Sequence, residues 1–124
     1  MGHLGVDRPR LERFLRRVHA RLPLVRVILF GSRARGDELD DSDYDLLFVS
    51  PAFAGVAWTA RLRAVLDLWD LDVELEPLCY TPEEFARKAR EISTVAEAVR
   101  DGVTVWEDLR TSSGSDRPPT GGPG

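Results

Sequence analysis

Apolar side chains recur along this chain with two periods, and the places where the period changes mark its elements. Leu11, Phe14, Leu15 and Val18 fall three and four residues apart, with Asp7 and Pro9 placed to open a helix and Pro23 just beyond. This pattern predicts a helix from about Pro9 to Arg21. The run Val27-Ile28-Leu29-Phe30 is too short for a helix and is stopped by Gly31, so Val25 to Phe30 reads as a strand buried on both faces. Tyr44 to Val49, ended by Ser50-Pro51, reads as a second. Trp58, Leu62, Val65, Leu66 and Trp69 form one helical stripe between Ala57 and Trp69. The period then changes to two. Leu71, Val73 and Leu75 alternate with Asp72, Glu74 and Glu76, which predicts a strand with one apolar and one acidic face.

Thr81-Pro82-Glu83-Glu84 has the capping-box pattern with proline at the first helical position, so a helix should run from there to about Glu91. Ser93 or Thr94 can cap another that ends at Gly102, and Val103 to Trp106 reads as a last edge strand. Thr111 to Gly124 has no apolar side chain whose burial could offset the entropy of ordering it, and reads as a disordered tail after a domain of residues 1–110. The order of elements predicts an α/β (α+β) fold, a short mixed sheet flanked by helices.

Composition narrows the classes. A chain of 124 residues with 43% hydrophobic content is one small domain with enough apolar material for a core. Its net charge of -4 argues against holding nucleic acid by bulk attraction. One cysteine, Cys79, allows no intramolecular disulfide, and no apolar stretch approaches a membrane span, so a cytoplasmic protein without direct stable nucleic-acid or membrane binding is expected. The overall charge hides a split: nine arginines against Asp7 and Glu12 up to Gly36, then six acids and no base from Asp37 to Asp45. The arginine-rich first helix is either a solvated face or a surface for an acidic partner.

That change of sign frames the chemistry. Gly31 and Ser32 end a buried strand and start a helix, a turn able to offer backbone N–H groups and a hydroxyl to phosphate, with Arg33 and Arg35 beside it. Asp43 and Asp45 open the next strand, where the two-residue repeat places both carboxylates on one face, roughly 7 Å apart along the chain. Acids entering so apolar a strand are costly unless a cation accompanies them, and two hard cations about 3.5 to 4 Å apart suit phosphoryl and nucleotidyl transfer. An EF-hand does not fit, because Leu46 stands where that loop needs glycine. Asp72 can supply a third acid, with Glu74 on the same face as its competitor.

Gly31-Ser32, ten residues, then Asp43-Tyr44-Asp45 resembles the signature of the minimal nucleotidyltransferases of the DNA polymerase beta superfamily. Ser32-Arg33-Ala34-Arg35-Gly36, Leu71-Asp72-Val73 and Tyr80-Thr81-Pro82-Glu83-Glu84-Phe85 extend the resemblance over most of the chain. The resemblance implies a polymerase-beta-like fold in which Asp43 and Asp45 bind two magnesium ions, Asp72 is the third carboxylate, and Gly31, Ser32 and Arg33 hold the triphosphate of ATP. It implies an antitoxin that transfers AMP from ATP to a tyrosine of a HEPN-domain toxin, with a hetero-oligomer as the working assembly. Two other functions remain open: a non-catalytic antitoxin that neutralises the HEPN RNase by binding, and a small-molecule nucleotidyltransferase acting as a homodimer. Tyr44, between the acids, belongs to the opposite strand face. No acceptor pocket is legible in a domain this small.

Overall fold

The computed structural model describes residues 6–36 and 43–108. The tail from Thr111 and the acids Asp37, Glu38, Asp40 and Asp41 lie outside the described residues. Helix α1 spans Arg8–Arg21, opened by Asp7, whose carboxylate accepts from the Arg10 N–H at 3.2 Å. Strand β1 is Arg26–Phe30, α2 is the single turn Ser32–Arg35, and β2 is Tyr44–Val49. A short 3-10 turn at Pro51–Phe53 leads to α3, Trp58–Leu66. Strand β3 is Leu75–Tyr80, followed by α4 (Pro82–Lys88), α5 (Thr94–Asp101) and β4 (Val103–Glu107).

The four strands form one mixed sheet in the order β3-β2-β1-β4, with β1 antiparallel to both neighbours and β2 parallel to β3. This is the short mixed sheet expected from the pattern. Strand alternation sends Val27, Leu29, Leu46, Phe48 and Cys79 to one face, where α1 covers them with Leu11, Phe14, Leu15 and Val18. Phe14 sits edge-on to both Phe48 and Trp69, with ring centroids 6.1 and 4.8 Å away. The other face, carrying Ile28, Leu47 and Val49, is closed by Val95 and Ala98 of α5 and by Phe85 of α4. Gly102 lets the chain leave α5 for β4 at this contact: a Cβ there would overlap the Ala98 carbonyl, the Ile28 side chain and the Leu29 carbonyl. Among the described residues no helix is long and apolar enough to cross a membrane.

Three spans differ from the sequence pattern. Helix α4 stops at Lys88 and not near Glu91, helix α3 stops at Leu66 and not at Trp69, and β3 starts at Leu75 and not at Leu71. The intervening loop still buries its apolar residues, since Leu68, Trp69, Leu71 and Val73 pack on the first face and the Trp69 indole N–H donates to the Val73 carbonyl at 2.6 Å. Helix α1 fastens this loop from below. Arg17 donates to the Leu68 carbonyl and pairs with Asp70 at 3.0 Å, while Arg10 pairs with Asp72 at 3.2 Å. Two of the arginines in the first helix therefore serve the fold. Strand β3 contains Pro77, which an edge strand tolerates because one of its sides needs no N–H donor.

The capping box at Thr81 is formed: the Glu84 N–H donates to the Thr81 hydroxyl at 3.1 Å, and the Thr81 N–H to the Glu84 carboxylate at 2.9 Å. Glu84 also receives both arms of Arg61, at 2.7 and 3.2 Å, which ties α4 to α3. The Arg61 bonds hold the Glu84 carboxyl at about 2, below its ordinary 4.5. The folded protein therefore releases this proton more readily than the unfolded chain, so the stability Glu84 contributes is complete above pH 4.5 and lost as pH falls toward 2. Glu84→Gln should flatten the acid limb of a melting-temperature profile between pH 5 and pH 2 (roughly), and an unchanged limb would contradict this placement of the pair.

Candidate functional site

One transverse row of the second face carries the candidate residues. Phe30 pairs with Asp45 across β1 and β2, and Asp45 pairs with Glu76 across β2 and β3. Residues in register on neighbouring strands share a face, so Asp45 and Glu76 stand side by side at one end of the sheet. Asp43 precedes β2 by one residue and acts electrostatically on Asp45. Burial first, then the charges of Glu76 and Asp43, push the Asp45 carboxyl above its ordinary value, while Arg35 draws it partly back. Two carboxylates and one arginine thus act on Asp45.

Gly31 closes the other flank. Its backbone is left-handed, with φ 78°, and a Cβ there would overlap the Asp45 carboxylate, so any other residue would be strained in backbone and blocked in space. Ser32 then begins α2, whose Ala34 and Arg35 N–H groups return to the Gly31 carbonyl at 3.1 and 3.3 Å. The expected pairing of a Gly-Ser turn with the two aspartates is thereby placed at one end of one sheet face.

Two expected members stand elsewhere. Asp72 is in the loop before β3; its side chain is 88% exposed and paired with Arg10 of α1. The carboxylate that register brings beside Asp45 is Glu76, four residues on. Glu74, the competitor, also precedes β3, and its carbonyl accepts from the Tyr44 N–H at 2.9 Å. Arg33 is the other departure. It is buried, with its guanidinium 4.4 Å from the centre of the Tyr44 ring, and Tyr44 lies on the face opposite the acids. In a single helical turn, residues three apart share a side, so Ser32 is joined by Arg35 and not by Arg33. That spacing was visible in the sequence, whereas the choice of Glu76 required the register.

The donor set is hard oxygen throughout, and burial beside other acids is the condition a divalent cation relieves. Among the described residues no three acidic, histidine or cysteine side chains form a preformed metal cage. Donor chemistry and charge alone suit hard cations here, with Asp43, Asp45 and Glu76 as the candidate ligands and Gly31, Ser32 and Arg35 as the candidates to meet phosphate.

Comparison with known proteins identifies the family of the fold. Residues 11–102 match the family model of the nucleotidyltransferase domain. A structure from Sulfolobus solfataricus assigned to the nucleotidyltransferases is 28% identical, covers 83% of this chain and 82% of its own, and superposes with a TM-score of 0.61. A toxin-antitoxin structure with AMP-PNP shares the fold at 22% identity and a TM-score of 0.57, over 87% of this chain and 79% of that one. The bifunctional uridylyltransferase/uridylyl-removing enzymes of Erythrobacter litoralis and Novosphingobium aromaticivorans are 29% and 30% identical over 86 residues, 68% of this chain. The match spans only 9% of the length of either enzyme. With the family model covering α1 to α5 and the fold shared, the chain belongs to the nucleotidyltransferase domain family, of the polymerase-beta-like kind.

Proposed function

We propose that this protein transfers a nucleoside monophosphate from a nucleoside triphosphate to a hydroxyl of a partner protein, using divalent cations held by Asp43, Asp45 and Glu76. The observation that carries this reading is the shared row: Asp45 in register with Glu76, backed by a glycine that admits no side chain. Bound magnesium would supply charge neutralisation at the reacting phosphate and at the hydroxyl. Gly31 allows backbone to approach the acids, Ser32 offers a hydroxyl at the start of α2, and Arg35 places a permanent positive charge where negative charge builds on the phosphate. The acceptor oxygen bonds to the α-phosphorus as the bond to the β-phosphate oxygen breaks. Pyrophosphate leaves with the electron pair. The hydroxyl proton passes to Glu76, exposed on the edge strand, and from there to water.

The partner side of the reading rests on the toxin-antitoxin neighbour with AMP-PNP and on the resemblance to minimal nucleotidyltransferases. It names a HEPN-type toxin as partner, one of its tyrosines as acceptor and ATP as donor. The uridylyltransferase relatives make UTP the competing donor. Incubation of the protein with its toxin, magnesium and either ATP or UTP, followed by intact-mass measurement, tests all three points. AMP transfer adds about 329 Da per nucleotide and UMP transfer about 306 Da, in the in-line displacement described above. The expected result is the first mass, located on tyrosine and absent with Asp43→Asn. Toxin neutralised without an adduct, equally well by Asp43→Asn, would favour the binding-only antitoxin.

A further inference from the structure

We infer that the cleft between α3 and α4 is a docking site for an acidic segment of a partner protein that carries one apolar anchor side chain. It lies apart from the row of Asp45 and Glu76, and the binding holds whether or not the transfer reading does. The cleft has a volume of about 210 Å³ and is lined by Trp58, Arg61, Tyr80, Glu84, Arg87 and Lys88. Pockets that enclose a drug-sized molecule run from about 300 to 1,000 Å³, so this one takes a single side chain. Trp58 opens α3 and is 40% exposed, with its ring 5.3 Å from that of Tyr80. Exposed tryptophan and tyrosine beside arginine is the composition of an interface anchor.

Charge decides the occupant. Glu84 accepts from Arg61 with both carboxylate oxygens, so those two charges answer each other. Arg87 and Lys88 have no acidic partner among the described residues; Lys88 stands 5.8 Å from the centre of the Tyr80 ring, and Arg87 is exposed. Two positive charges beside an aromatic wall call for carboxylates flanking an apolar side chain. Single-stranded nucleic acid also joins negative charge to flat apolar groups, but its bases stack on open ring faces. Here the two rings are tilted 47° to each other, Lys88 lies over Tyr80, and the Arg61 guanidinium lies 6.0 Å from the centre of the Trp58 ring. Phosphates running along β3 would also approach Glu76, on the same face about 13 Å from Tyr80, and Asp45 beside it. That distance is four extended residues, so a protein anchored in the cleft can present a hydroxyl at the acid row. This use of the cleft, unlike the binding, rests on the transfer reading.

The probe is the peptide N-acetyl-Glu-Glu-Phe-Glu-Glu-amide, titrated into the full chain without metal, where the acid row repels it, and followed by NMR at the Trp58 indole N–H and the Lys88 amide. It should bind at least about tenfold more tightly than the analogue with glutamine for glutamate or the analogue with alanine for phenylalanine, and more weakly as salt is raised. Trp58→Ala should weaken it at least about fivefold at the Lys88 amide. Arg87→Glu combined with Lys88→Glu should abolish its binding and gain binding of N-acetyl-Lys-Lys-Phe-Lys-Lys-amide, which shows the variant to be folded. Equal binding of the glutamine analogue, undiminished binding by the charge-reversed variant, or no shift at millimolar peptide would overturn the acidic occupant. Hexauridylate binding more tightly than the peptide would assign the cleft to nucleic acid, and Trp58 shifts that follow protein concentration alone would assign it to a second copy of the chain. Either result overturns the inference and leaves the transfer reading intact.

Discussion

Asp45→Asn is expected to reduce nucleotidyl transfer on the order of 100-fold or more and, in the same protein, to raise the melting temperature of the metal-free form. The two effects have one cause. The Asp45 carboxyl is partly buried beside Glu76 and Asp43, which lifts its pKa above the ordinary 3.8, so its charged form is disfavoured by the fold. In the window above pH 3.8 the folded protein binds more protons than the unfolded chain, and stability falls as pH rises through that window to the raised value. Asparagine removes this cost. Melting curves at pH 4 and pH 7 (about) should therefore show the variant gaining more at the higher pH. Magnesium should reverse the order, because a cation that binds only the folded wild type stabilises it by mass action. A variant less stable than wild type at neutral pH without metal would contradict the electrostatic description of the site.

Removing Arg61 should have the largest effect on stability. Its guanidinium, 9% exposed, donates to the carbonyls of Val56 and Cys79 at 2.8 and 3.1 Å and to both oxygens of Glu84. Breaking a buried ion pair from one side typically costs about 3–5 kcal/mol. Glu84 retains some access to water and the Thr81 N–H, so Arg61→Ala is expected to cost about 2–4 kcal/mol, a large part of the roughly 5–15 kcal/mol that holds a domain together. Chemical denaturation measures it directly. Arg61→Met combined with Glu84→Gln should recover part of the loss, since no unpaired charge is then left behind. A loss below about 1 kcal/mol in Arg61→Ala would mean that the clamp does not hold α3 to α4.

These pairs show which parts of the molecule the sequence discloses. Gly31-Ser32 and Asp43/Asp45 are legible because each depends on a strand boundary and a two-residue repeat, both of which are local. The capping box at Thr81 is legible for the same reason. Glu76 lies in the same alternating run as Asp72 and Glu74, and nothing local ranks the three. The ranking comes from the parallel pairing of β2 with β3, which joins residues some thirty positions apart and starts the strand at Leu75. Apolar alternation at Leu71 and Val73 hides that start, because loop residues that pack on a core alternate as strand residues do. Arg61 and Glu84, 23 residues apart, leave no periodic trace at all. Cys79 is buried, which pushes its thiol up to about 12 and leaves it protonated and inert.

Transfer by Glu76→Gln and Asp72→Asn, measured side by side under single-turnover conditions with ATP, magnesium and the protein acceptor, bears most directly on whether the row on the second sheet face is the reacting site. Glu76→Gln should lose on the order of 100-fold in rate while its melting temperature stays near that of wild type, since Glu76 is exposed on an edge strand. Asp72→Asn should lose less than about threefold, because it removes only an exposed ion pair with Arg10. The reverse ranking, an inactive Asp72→Asn beside a competent Glu76→Gln, would place the third carboxylate in the loop and contradict the site built on the pairing of Asp45 with Glu76.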